Sequence, residues 1–252
     1  MMTRVKTEEE AEAMRTSGRL LATVLARLKK DLAVGMSTRD LAEIAKNELK
    51  GTGGKPTFLG QYGFPDVICI SVNDEVVHGI PSEKRIIKDG DIVSMDFGVT
   101  YEGMITDSAI SVIAGKIVNS SDARLVRDTE ASLAAGIMAA HGGCRVGDIA
   151  NAIEKSLPGS YGIVRDLVGH GVGHELHEEP NIPNQGKKGT GPVLETGMTI
   201  AIEPMVNVGT YKVFTDIDGW TVKTADGEKS AHFEHTILLT NSGAEILTQI
   251  QA

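Results

Sequence analysis

Acidic side chains set inside apolar runs constrain this chain more than any other feature of its sequence. Asp96 interrupts Ile92-Val93-Ser94-Met95-Asp96-Phe97-Gly98-Val99, and Asp107 follows Met104-Ile105-Thr106. Glu203 closes the run Met198 to Ile202, and Glu234 stands in Ala231-His-Phe-Glu-His-Thr-Ile-Leu-Leu239. His170, from the glycine-rich stretch Leu167-Val-Gly-His-Gly-Val-Gly-His174, completes a set of four carboxylates and an imidazole. Two unit charges ~5 Å apart at an effective dielectric of ~20 repel by roughly 3 kcal/mol. If these segments converge, cations must compensate, and two divalent ions would neutralise four carboxylates.

Each residue carries a local argument. Val93, Met95, Phe97 and Val99 alternate onto one strand face and leave Asp96 on the other. Thr100-Tyr101-Glu102-Gly103 has turn character; a turn centred on Tyr101 and Glu102 places Asp96 directly opposite Asp107, with Cβ atoms ~5 Å apart. Two such acids alone would read as a solvated edge hairpin. Pro204 holds Glu203 extended. Glu234 shares its strand face with His232, Thr236 and Leu238, and a charge in so apolar a strand is expected to be paired or liganded. Glycines flanking His170 let the backbone pass close to something, and neutral imidazole suits first-row divalent metals. His174-Glu175 opens no HExxH motif, because position 178 is Glu178, and the glycines form no phosphate loop. An oxygen-rich set of this kind suits Mn, Fe, Co or Zn in a two-metal hydrolytic site.

The surrounding sequence is that of a soluble globular protein: 252 residues, 41 % hydrophobic and 23 % charged. No linker or low-complexity tract divides it, so residues 1–252 are read as one catalytic domain. A net charge of −9 argues against a nucleic-acid or anionic-membrane binder. No apolar run approaches the ~18 residues of a membrane span, and MMTRVKTEEE lacks the apolar core of a signal peptide. Cys69 and Cys144 are too few for a disulfide framework, which points to the reducing cytoplasm.

Thr7 with Glu10 forms a capping box that opens a helix through Ala11, Met14, Leu20, Leu21, Val24 and Leu28. Ser37 with Asp40 opens a second. The region 124–157 repeats this layout, and Gly35 to Asp40-Leu41 matches Gly143 to Asp148-Ile149 in spacing. Each copy precedes a strand-rich segment, 66–117 and 161–240. Two helix–helix–sheet halves would place a site at their seam, where pockets commonly form.

At these residues the chain resembles a type I methionine aminopeptidase of the short bacterial kind, over nearly its whole length from about Val5 to Leu247. The motifs are Val77-His78-Gly79-Ile80-Pro81, the Asp96/Asp107 pair, Gly169–Pro180, Ile202-Glu203-Pro204, Asp218-Gly219-Trp220-Thr221 and Phe233-Glu234-His235-Thr236. The resemblance implies the pseudo-two-fold "pita-bread" α/β fold, an antiparallel-rich curved sheet flanked by helices. It implies that Asp107 and Glu234 bridge two metals, that Asp96 ligates one, and that His170 and Glu203 ligate the other. His78 and His177 then match the non-ligand histidines that contact the substrate amide and stabilise the tetrahedral intermediate; no role carries over to His174. Phe58, Phe64, Cys69, Leu176 and Trp220 match the walls of the methionine pocket, while Phe58 and Gln61 stand where some relatives carry Cys and Tyr.

The implied activity is removal of the initiator methionine from nascent polypeptides whose second residue is small. Glu203 relays a proton and His177 helps to stabilise the oxyanion. The implied cofactors are two divalent ions (Co, Mn, Fe or Zn). The implied partners are nascent N-termini and, transiently, the ribosome, for a monomer. Rival readings are a proline-directed aminopeptidase or dipeptidase on the same fold, a structural metalloprotein, and a non-catalytic peptide-binding scaffold. Met1-Met2 carries a smaller expectation: with a large second residue, the protein keeps its own Met1.

Overall fold

A computed structural model describes residues 2–250; the expectation for Met1 lies outside them. The two helical pairs are where the capping signals put them. Helix α1 (Glu8–Asp31) opens at Thr7, whose hydroxyl accepts from Glu10 N at 3.2 Å while Glu10 Oε2 accepts from Thr7 N at 2.9 Å. Helix α2 (Thr38–Glu48) opens with the same reciprocal bonds between Ser37 and Asp40. Helices α3 (Ser120–Ala139) and α4 (Val146–Ser156) form the second pair and pack on one another.

The repeat is visible in the connections. Gly35 and Gly143 adopt left-handed φ values of 93° and 95°, where a side chain would be strained. Gly35 N donates to Ile87 O and Gly143 N to Leu194 O, and isolated bridges join Ser37 to Ile86 and Arg145 to Val193. Asp148 caps α4 by accepting from Arg145 N at 2.8 Å, as Asp40 caps α2.

The first half supplies strands β1 (Lys55–Pro56), β2 (Cys69–Val72), β3 (Glu75–Val77), β4 (Ile92–Tyr101) and β5 (Met104–Ile113). The second supplies β6 (Gly162–Ile163), β7 (Gly169–Gly171), β8 (Glu178–Ile182), β9 (Thr199–Ile202) and β10 (Met205–Asn207). It also supplies β11 (Val213–Thr215), β12 (Val222–Thr224), β13 (Ser230–His232), β14 (Glu234–Thr240) and β15 (Gly243–Ile246). These strands pair antiparallel. The main sheet runs β1-β4-β5-β14-β9-β7-β8, with β2 added to β4 and β15 to β14. The halves therefore meet where β5 pairs with β14. Val93, Met95, Phe97 and Val99 bury one face of β4 together with Leu21, Leu28 and Leu41 of α1 and α2. Ile149, Ile153, Ile200, Ile202 and Ile237 form the corresponding core of the second half. With helices covering that face, the other face of the sheet is left for the site.

The β4–β5 hairpin differs from the sequence reading by two residues of register. Glu102 and Gly103 form the turn with φ of 48° and 80°, and Tyr101 pairs with Met104. A two-residue hairpin turn of this kind needs positive φ at both central positions, which draws Gly103 into the turn. Asp96 consequently faces Ala109, and Asp107 faces Gly98. A shift of two preserves side-chain parity, so the two acids still share a face, as diagonal rather than direct neighbours.

Candidate active site

Two adjacent rungs of the sheet assemble the charged residues. One rung runs Cys69–Asp96–Ala109–Glu234 across β2, β4, β5 and β14. Continued past the end of β9, it reaches Glu203, since His235 pairs with Ile202. The other runs from Gly98 and Asp107 to Thr236, whose hydroxyl accepts from Asp107 N at 2.9 Å, and then through Ala201 to His170. Small residues (Gly98, Ala109, Ala201) alternate with the charged ones and leave room above the sheet. Ligand atoms of Asp107, His170 and Glu234 lie within 4.8 Å of one another.

The electrostatics are those of a site built for cations. Asp96, Asp107, His170 and Glu234 are buried, and Asp96 Oδ1, Asp107 Oδ1 and Glu234 Oε1 have no hydrogen-bond partner. Burial pushes the Asp96 carboxyl up to about 7. Burial, then the neighbouring Asp96 and Glu203 charges, holds Asp107 far above the usual carboxylate range. Glu234 is raised by burial and then by Asp107 and Glu203, and Glu203 by burial and then by Asp96. Buried native carboxylates are ordinarily paired or hydrogen-bonded. Cys69 stays a neutral thiol, because burial and then Asp96 raise its pKa well above normal.

The histidines divide by what their nitrogens meet. His170 Nδ1 lies 3.0 Å from Gly171 O. A carbonyl can only accept, so Nδ1 carries the proton and Nε2 keeps a lone pair, 3.4 Å from Glu203 Oε1. Burial lowers the His170 pKa to about 3, which keeps the ring neutral. His78 directly follows β3 with φ of 60°, a conformation rare for a residue with a side chain and characteristic of constrained functional positions. Burial, followed by His177, lowers its pKa to about 4. Burial also lowers His177, which meets His170 edge to face with ring centroids 4.4 Å apart. His174 turns away to Glu10 Oε1 at 2.7 Å.

An apolar pocket adjoins the charged rungs. Phe58, Phe64, Cys69 and Leu176 form a buried cluster against which Trp220 packs. Phe64 and Trp220 meet edge to face, with centroids 5.2 Å apart. Pairing of β12 with β3 brings the Asp218–Thr221 turn to this wall, and Asp218 Oδ1 fixes it by accepting from Trp220 N and Thr221 N, each at 2.8 Å. The cleft, about 570 Å³ with its open mouth, is lined by these five residues and by Asp96, Asp107, His78, His170, His177, Glu203 and Glu234. The structure thus brings every residue named from sequence for metal binding, catalysis or the pocket wall to one cavity.

The sequence reading gave no role to one lining residue and to one neighbour of the site. Tyr62 lines the cleft, stacks on His177 with centroids 5.8 Å apart, and has φ of 50°. His232 is buried with both ring nitrogens unpartnered, Nε2 lying 3.8 Å from Glu203 Oε2. Its only signal was a strand face shared with Glu234; Tyr62, in the single 3₁₀ turn Gln61–Gly63, had none.

A chain with this architecture has known relatives. The sequence pattern of metallopeptidase family M24 matches residues 12–241. Methionine aminopeptidase of Clostridium perfringens is 45 % identical over 98 % of this chain and 99 % of its own length. The chain belongs to metallopeptidase family M24, in its methionine aminopeptidase branch. Methionine aminopeptidase 1 of Bacillus subtilis is 46 % identical over 97 % of this M24 chain and 98 % of its own length. The crystal structure of the Thermotoga maritima methionine aminopeptidase superposes with a TM-score of 0.96 at 44 % identity, covering 99 % of this chain and 100 % of that one. The expected pita-bread α/β fold is therefore the fold of this M24 member. Its buried, unpartnered carboxylate oxygens and the free lone pair of His170 fit divalent metal, as the family name requires.

Proposed function

We propose that this chain removes the initiator methionine from nascent polypeptides with a small second residue. One observation carries the reading: buried carboxylate oxygens without partners and an apolar pocket share a single cleft, which His78 and His177 also line. Asp96, Asp107, His170, Glu203 and Glu234 would hold two divalent ions of Co, Mn, Fe or Zn, the choice among them set by cellular availability. Such ions lower the pKa of bound water towards neutrality and polarise the scissile carbonyl.

The remaining work falls to the chain itself. Phe58, Phe64, Cys69, Leu176 and Trp220 receive the unbranched thioether side chain and exclude water from it. Such a pocket discriminates by roughly 1–3 kcal/mol per methylene, so methionine is preferred strongly but finitely over leucine. Glu203, whose pKa burial raises, takes the proton lost by the attacking water and returns it to the leaving amine. His78 and His177, both kept neutral by burial, offer N–H groups to the substrate amide and the developing oxyanion.

The same reading assigns residues 1–252 to one catalytic domain, acting as a monomer in the cytoplasm with transient ribosome contact. Among the described residues no helix is long and apolar enough to cross a membrane. Metal-loaded protein is expected to release methionine from Met-Ala-Ser and to leave Xaa-Pro dipeptides intact. Cleavage of Xaa-Pro without action on Met-Ala-Ser would support the proline-directed reading instead, and binding without cleavage the scaffold reading.

A further inference from the structure

Among the described residues, Lys6 is the only lysine or arginine with a buried side chain. Its ammonium donates to Thr3 Oγ1 at 3.0 Å and to Arg4 O at 2.9 Å, and faces Glu178 Oε2 at 3.8 Å. Glu178 Oε1, in turn, accepts from His174 N at 2.8 Å and Glu175 N at 3.0 Å. Those two N–H groups belong to the turn that carries Leu176 and His177 into the cleft. Lys6 also lies flat against the start of this turn: Gly173 has φ of 147°, and a Cβ there would collide with Lys6 Cε.

Neighbouring bonds tie the same two segments together. Thr3 N donates to Glu179 O at 2.6 Å, and His174 Nε2 meets Glu10 at the start of α1, while Lys6 N anchors the N-terminal segment separately to Gly197 O at 2.8 Å. Residues 3–10 therefore hold the turn from behind while His177 projects from its front. Burial lowers the Lys6 pKa, and Glu178 opposes that shift. A buried ion pair is a poor source of stability compared with apolar residues of similar volume, and the best-attested use of such groups is to specify one arrangement. Here the arrangement specified is the turn bearing His177.

We propose that Lys6 is a positioning residue for peptide hydrolysis: by holding Glu178 and the 173–177 turn it sets His177 against the substrate's peptide bond. This rests on the role given to His177 above.

Lys6→Met keeps the stem and removes the ammonium. With Mn²⁺-loaded protein and Met-Ala-Ser, kcat is expected to fall by about tenfold while KM stays within about twofold, and Lys6→Arg should recover most of the loss. Imidazole ¹H–¹⁵N spectra should show the His177 signals displaced and those of His235 in place, with Mn²⁺ affinity by calorimetry unchanged. A folded Lys6→Met with wild-type kcat and unmoved His177 signals overturns the proposal. So does a loss of kcat matched by a loss of Mn²⁺ affinity, because the effect would then run through His170. If Lys6→Met does not fold, Glu178→Gln retains the Oε1 acceptor without the charge, and the same readouts decide. Wild-type protein inactive on Met-Ala-Ser would refute the functional reading instead, and the His177 spectra would still decide whether Lys6 positions the ring.

Discussion

His170 and His177 meet at right angles, ring centroids 4.4 Å apart, where the carboxylate rungs meet the apolar pocket. They are neighbours with different tasks. The His170 tautomer leaves Nε2 facing Glu203, whereas His177 stacks beneath Tyr62 at the open side of the cleft.

This division predicts different failures. His170→Ala should weaken Mn²⁺ binding by about 10- to 100-fold, whereas His177→Ala should bind Mn²⁺ normally and lose about 100-fold or more in kcat. Calorimetry and steady-state kinetics on the same preparations separate the two.

Charge neutralisation should divorce stability from activity. Asp96→Asn and Glu234→Gln each replace a buried carboxyl whose pKa burial raises and which has an oxygen without a hydrogen-bond partner. Their metal-free forms are expected to melt a few degrees above wild type at pH 8, with activity lost by orders of magnitude after metal is added. Scanning calorimetry with chelator present, followed by a peptide assay, checks both halves.

The pH dependence has a definite sign. The Asp96 carboxyl is raised from 3.8 to about 7 in the folded metal-free protein. The folded state then binds more protons than the unfolded, and this group's contribution to stability declines as pH rises between those values. Metal replaces the proton, so binding releases protons and strengthens with pH. The rise in melting temperature on adding Mn²⁺ should be larger at pH 8 than at pH 6; an equal rise would contradict the assignment.

Gly98 offers a test of the pocket alone. A Cβ there would come within 2.7 Å of the Phe58 ring, pushing that wall towards the substrate. Gly98→Ala should therefore raise KM for Met-Ala-Ser by about tenfold with a smaller change in kcat, consistent with loss of ground-state binding. Progress curves over a range of peptide concentrations measure this directly.

What the sequence determined by itself was local. Thr7/Glu10 and Ser37/Asp40 cap their helices through bonds spanning three residues, so the capping boxes could be read directly. Strand alternation put Asp96 on the face opposite Phe97, and that parity survived a two-residue error in the hairpin register because side chains repeat every two residues. The family resemblance added the separate metal roles of the five residues, the two non-ligand histidines and the pocket walls.

Tertiary structure decided what depends on distance across the sheet. Two rungs spanning both halves brought Glu203 and His170 to Asp107, and the β3–β12 pairing brought Trp220 beside His78. Lys6 looked like any basic residue near an N-terminus until the fold buried it against Glu178. No periodicity in the chain encodes that meeting, because it depends on contacts between segments far apart in sequence.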